Sequence, residues 1–224
     1  GTQVAAGLLA FADGNRLKVL SIRNFETAAE FELPEQLAAP LAVVPGVLYA
    51  LDTTGAIRIF DIASGTMRDQ PIVTSLRGDT DVSPVLVGRR AYFVSANNVL
   101  TAVNLDSGLA WERAVPVNSP VRDVVATQAG VYVLAGSTLC AYAPDNRELF
   151  TLSERIAAPP LTVPGRLIAG TTDGELVILN AGTGETLKRL SLVSRMSARP
   201  TVLGRVIVAG TEDGQLVFVD PENL

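Results

Sequence analysis

The feature that most constrains this chain is a repeat. A phrase recurs in which an apolar strand runs into Asp or Asn and then into a small turn closed by Gly. The best copies are Ile57-Arg58-Ile59-Phe60-Asp61-Ile62-Ala63-Ser64-Gly65, Leu100-Thr101-Ala102-Val103-Asn104-Leu105-Asp106-Ser107-Gly108 and Leu176-Val177-Ile178-Leu179-Asn180-Ala181-Gly182-Thr183-Gly184. The Asp or Asn position can be followed through Ser21, Asp61, Asn104, Ala143, Asn180 and Asp220, at spacings of 40, 43, 39, 37 and 40 residues. A period of this size means stacked supersecondary units, none of which buries its apolar face alone.

Each unit carries further strand signals. Pro40, Pro84, Pro120, Pro160 and Pro200 open an upstream strand, and a Gly-containing turn leads into the next, as in Gly46-Val47-Leu48-Tyr49-Ala50. A hairpin follows; at Thr172-Asp173-Gly174 and Glu212-Asp213-Gly214 the Asp-Gly pair predicts a type I′ turn. The inner strands are apolar along most of their length, as strands buried on both faces are. No stretch of ten residues has helical periodicity; the nearest, residues 30–39, is interrupted by Pro34. Four short strands per unit predict an all-β fold, a β-propeller of four-stranded antiparallel blades. It reads as one domain over 1–224, with repeats at 1–37, 38–80, 81–117, 118–157, 158–197 and 198–224. Three arrangements are open: six blades with one incomplete, five with Ala28–Leu33 completing the last blade, or repeats that are part of a larger propeller.

Composition removes several function classes. There is no histidine, which excludes Ser-His-Asp and Cys-His catalysis and His-ligated metals. The single cysteine, Cys140, cannot form an intramolecular disulfide and lies in an apolar strand, where it reads as core. With 23 acidic and 18 basic residues, the chain lacks the basic footprint of nucleic-acid binding. No apolar run approaches the roughly 20 residues of a membrane helix. No Gly-rich phosphate loop and no calcium loop stands up. The expectation is a non-enzyme without cofactor or metal.

The turns Asp61-x-x-Ser64-Gly65, Asn104-x-x-Ser107-Gly108 and Asn180-x-x-Thr183-Gly184 resemble the Asp-x-x-Thr-Gly turn of the PQQ-like β-propeller repeat. Trp111, three residues after Gly108, sits where that repeat often has its Trp. In that family the quinone dehydrogenases hold their cofactor against a tryptophan. Here Arg68 and Leu187 occupy the Trp position of two other copies, which argues against quinone binding. The segment Asp79-Thr80-Asp81-Val82-Ser83-Pro84 is similar to the Asp-x-Asp-x-x-Pro loop of the periplasmic propeller lipoproteins of the outer-membrane β-barrel assembly machinery. The resemblance implies that Asp79 and Asp81 dock a barrel-assembly subunit. It also implies a periplasmic or extracellular location, with membrane association only through a lipid anchor or partner outside the given sequence. That family's second docking loop contains Leu and Arg, and Leu37-Ala38-Ala39-Pro40, at its place here, does not match it.

The candidate partner-binding residues are therefore Arg77, Asp79 and Asp81, together with Arg122, Asp123, Arg155, Arg195 and Arg199 in other connecting loops, which a propeller gathers on one face. Each has a plainer alternative: the aspartates cap backbone amides in a turn, and the arginines pair with carboxylates of their own chain. Arg77-Gly78-Asp79 also spells an integrin-binding tripeptide, which we read as coincidence. The functional expectation is a protein-interaction scaffold, in outer-membrane protein assembly if the resemblance holds. The alternative is the ligand-sensing extracytoplasmic part of a larger receptor.

Overall fold

The computed structural model of the chain describes residues 3–5, 7–152, 155–192 and 194–220. All regular structure among them is β, and the strands form six antiparallel sheets in chain order. The chain divides into two compact units, 1–116 and 117–224, each with three sheets.

In the first unit, the first sheet comprises β1 (Gln3–Ala5), β2 (Leu8–Asp13), β3 (Arg16–Ser21) and β4 (Thr27–Glu32). The second comprises β5 (Ala42–Val44), β6 (Val47–Leu51), β7 (Ala56–Asp61), β8 (Thr66–Met67) and β9 (Ile72–Val73). The third comprises β10 (Val85–Val87), β11 (Arg90–Val94), β12 (Val99–Asn104) and β13 (Gly108–Ala114). In the second unit, the fourth sheet is β14 (Val121–Ala126), β15 (Val131–Ala135), β16 (Thr138–Tyr142) and β17 (Glu148–Leu152). The fifth is β18 (Leu161–Val163), β19 (Arg166–Gly170), β20 (Glu175–Asn180) and β21 (Thr186–Ser191). The sixth has three strands, β22 (Thr201–Leu203), β23 (Val206–Gly210) and β24 (Leu216–Val219).

The repeated phrase now has a physical account. Asp61 accepts a hydrogen bond from the Ser64 amide at 2.9 Å. Asn104 accepts from the amides of Asp106 and Ser107, and Asn180 from those of Gly182 and Thr183. These are Asx turns. The closing Gly65, Gly108 and Gly184 take φ of 67°, 92° and 72°, which a side chain would resist. The hydrogen bonds from the Ser64 backbone and side chain hold the Asp61 carboxyl below its usual range. Just before the turn, the pairing of third and fourth strands slips by a residue at the same place in four sheets, after Val19, Ala102, Ala141 and Ile178. A bulge there adds local twist.

The core lies between sheets. Leu17, Val19 and Phe31 of the first sheet pack with Leu48, Ala50 and Phe60 of the second. The opposite face of the second, through Tyr49, Leu51 and Ile57, meets Ala91, Phe93 and Val103 of the third. In the second unit, Tyr132, Leu134 and Phe150 meet Leu167, Ala169 and Val177. Ile168, Leu176 and Ile178 then meet Ile207, Ala209 and Val217. A central sheet is thus apolar on both faces, as its strands' composition predicts.

Three expectations need correction. Of the arrangements left open, the one in which Ala28–Leu33 completes the last blade does not hold: that strand, as β4, pairs with β3 in the first sheet. At the Asp-Gly hairpins only Gly174 and Gly214 have positive φ, whereas type I′ needs it at both central residues. Gly174 N donates to Thr171 O and Thr171 N to Glu175 O, the pattern of a three-residue loop with a bulge glycine. The second sheet's outer strand is split into β8 and β9, both on β7. Pro71, lacking an N–H, lies in the gap.

Candidate partner-binding site

The Asp79–Asp81 loop belongs to the first unit and is an extended, non-repetitive segment between β9 and β10. Its backbone is pinned at several points. Thr74 Oγ1 donates to Gly55 O at 2.6 Å, and Leu76 is fully buried. The Arg77 amide donates to Ser95 Oγ at 3.0 Å. The Thr80 amide donates to Ala38 O at 2.7 Å, and Val82 is buried. At Gly78, with φ of 75°, a Cβ would stand 2.9 Å from the Ala96 methyl, so only glycine fits there without displacement.

Alternation along this loop sends Thr80 and Val82 inward and leaves Asp79 and Asp81 exposed. Among the described residues neither aspartate makes a hydrogen bond or ion pair, so neither caps a backbone amide in its own loop. Arg77 behaves differently from the sequence expectation. Its guanidinium turns back onto Thr74 O at 3.1 Å and Leu76 O at 2.5 Å, and so braces the loop.

The other candidates lie in the second unit and have partners within it. Arg199 donates to Asp123 Oδ2 at 2.7 Å, joining the approach to β22 with β14 two sheets away in sequence. Arg122 donates to the carbonyls of Gly136 and Ala157. Arg155 pairs with Asp173 at 3.4 Å, and Arg195 with Glu212 at 2.5 Å. The two arginines are equivalent by repeat, since Thr172 N donates to Arg155 O just as Glu212 N does to Arg195 O, but their acidic partners sit one position apart in the hairpin. The structure therefore joins Asp123 with Arg199 but assigns Arg155 and Arg195 to their own hairpins. Exposed pairs of this kind contribute little to stability.

Sequence reasoning missed the loop's inward anchors, Thr80 and Val82, because a hydroxyl and a valine look ordinary in a connecting segment. It also missed Asp52, which is 2% exposed and accepts from Thr54, Ala56 and, at 2.8 Å, from Arg58 Nε. Burial alone would raise its carboxyl, but the hydrogen bonds from Thr54, Ala56 and Arg58 outweigh it and hold the group below the usual range. Cys140 is fully buried, and burial pushes its thiol up, which makes it unreactive. Trp111 packs on Tyr92, ring centroids 6.0 Å apart.

Similarity to known proteins agrees with this architecture. No curated protein matches the chain. Among solved structures, the computationally designed Ika8 protein superposes with a TM-score of 0.74 at 16% identity, covering 98% of this chain and 70% of that one. BamB from Moraxella catarrhalis superposes with a TM-score of 0.69 at 18% identity, covering 96% and 70%. The sheets are accordingly blades of the β-propeller type. The family profile described as "Outer membrane protein assembly factor BamB" matches residues 32–149 and again 135–224. Repeat, blade and profile lead to one conclusion: the chain belongs to the PQQ-like propeller family that bears that description.

Proposed function

We propose that the protein is a non-catalytic scaffold that docks a protein partner through the Asp79–Asp81 loop, on the periplasmic side of outer-membrane protein assembly. The observation that carries this reading is the pair of solvent-facing carboxylates that no group among the described residues neutralises, on a backbone fixed by Thr80, Val82 and Arg77. Charged groups left uncompensated on a rigid loop are suited to a complementary basic surface, since little ordering entropy is lost when they bind. The family description supports a partner in the assembly machinery. Arg122, Asp123, Arg155, Arg195 and Arg199, in the second unit, rank below the loop as candidates, because each already has an internal partner.

Calorimetric titration with the periplasmic domains of the barrel-assembly subunit tests this. Saturable binding is expected, and the Asp79→Ala/Asp81→Ala variant, with unaltered thermal stability, should lose about 1 kcal/mol or more, the scale of a hot-spot contact. Absence of binding at high micromolar concentration would overturn the reading and leave the ligand-sensing alternative in front.

A further inference from the structure

The tyrosines of the second, third and fourth sheets occupy one position of the repeat. Tyr49, Tyr92 and Tyr132 lie on the second strand, opposite Ala42, Val85 and Val125 on the first and Ile59, Ala102 and Ala141 on the third. All are buried. Tyr132 shows what such a ring does. It crosses to the fifth sheet and donates from Oη to Ala181 O at 3.0 Å. The Ala181 amide in turn donates to Gly165 O in the β18–β19 turn. The phenol thus spans the gap between two sheets and reaches the turn region of the second one, where a crevice of about 430 Å³ remains between Thr127, Ala129, Gly165 and Ala181.

In the fifth sheet the same rung, opposite Leu161 and Ile178, holds Ile168. Isoleucine is shorter than tyrosine and has no hydroxyl. Facing the β22–β23 turn at Gly204, a crevice of about 230 Å³ remains, walled by Val163, Ile168, Ile178, Val202 and Ile207. One of its walls, Ile168, stands at the rung that Tyr132 occupies one interface earlier. An apolar cavity of roughly 150 Å³ is enough to take a benzene ring, so this crevice admits one aromatic ring with a substituent.

Two arginines, Arg166 and Arg205, line the crevice and are exposed to solvent. Arg205 makes no hydrogen bond or ion pair among the described residues. It follows its turn glycine as Arg89 does in the third sheet, Gly204-Arg205 against Gly88-Arg89. At that earlier interface, burial raises the Tyr49 phenol, while the charges of Arg68 and Arg89 counter part of the rise. The place of Arg205 in the repeat is therefore one that lies near a phenol oxygen.

We propose that the crevice between the fifth and sixth sheets is a binding site for a small aromatic carboxylate, its ring against Ile168, at the rung that tyrosine occupies in sister blades, and its carboxylate against Arg205 and Arg166. The apolar walls supply burial, and the guanidinium groups supply charge-assisted hydrogen bonds.

Methyl-detected NMR titration with benzoate is the test, with benzyl alcohol as the neutral ring of similar size. Benzoate is expected to produce saturable shifts confined to the methyls of Val163, Ile168, Ile178, Val202 and Ile207. Arg205→Ala should weaken benzoate by about tenfold or more, the scale of a charge-assisted bond, and leave benzyl alcohol unchanged. Ile168→Tyr restores the sister ring and should abolish both titrations. If that variant fails to fold, the surface substitution at Arg205 still decides. Equal binding of both rings, unchanged benzoate binding in either variant, or shifts that never saturate would overturn the proposal.

Discussion

At the residue scale, Asp52 shows how a turn and a charge stabilise each other. Its Oδ1 holds the amides of Thr54 and Ala56, and its Oδ2 holds Arg58, whose side chain is 18% exposed. Asp52→Asn keeps the shape and removes the charge that Arg58 requires. We expect it to cost about 2 kcal/mol at neutral pH, as loss of a hydrogen bond between charged groups does. The carboxyl is lowered in the fold. Its contribution is therefore complete above the unfolded value of about 3.9 and fades as pH falls through the lower folded value. Urea denaturation of both proteins from pH 7 to pH 2 should show the gap between them closing only below that unfolded value. A gap independent of pH would mean that the ionised carboxylate is not the stabilising species.

At the scale of the element, the Asx turn is the unit that repeats, and its departures are informative. In the first sheet the closing position is Phe25, with φ of 58° and 69% of its surface exposed. Its amide donates to Ser21 O at 2.7 Å, as Gly184 does to Asn180 O at 2.8 Å. The turn therefore forms despite the side chain. A left-handed conformation costs an L-residue about 1–2 kcal/mol, part of which glycine returns as unfolded-chain entropy. Phe25→Gly is expected to raise the unfolding free energy by about 1 kcal/mol, read as a shift in denaturation midpoint at unchanged slope. An unchanged or lowered midpoint would show that the phenyl ring contributes more than its backbone strain costs. In the fourth sheet the turn is one residue shorter: the Asn146 amide, at φ of 74°, donates to Ala143 O at 3.0 Å, and asparagine tolerates that region better than most residues.

At the scale of the whole molecule, the sixth sheet differs from the others. Its inward face packs on the fifth sheet, while Leu203, Leu216 and Phe218 on the other face are 60–64% exposed. The second and fifth sheets pack both faces on their neighbours. Amides of β23 should therefore exchange with solvent on the order of tenfold faster, or more, than those of β19. Equal protection would mean that this face is covered in solution.

The legible part of this fold is what repeats. The 40-residue period gave the sheets, and Asp-x-x-Ser-Gly gave the turns, because each is written several times. Asp79 and Asp81 were found through a resemblance, and their exposure is visible only once Thr80 and Val82 turn inward. The pairing of Arg199 with Asp123, 76 residues apart, has no local signal at all. The crevice was equally hidden, since it depends on an isoleucine standing at a rung that other sheets give to tyrosine.

The fittings between neighbouring sheets are not alike. The first and second meet through Phe31 and Phe60, ring centroids 5.0 Å apart. The fourth and fifth meet through Tyr132 on Ala181 and Phe150 against Gly184. The fifth and sixth meet through Met196 against Gly170. Units built to one plan are prone to swap neighbours, within a molecule or between two. Here a wrong neighbour would strand the Tyr132 hydroxyl without an acceptor, or set Phe150 against a residue bulkier than glycine. The serial order of the blades is thus written in the side chains that vary, and the shared residues alone would leave a chain free to misassemble.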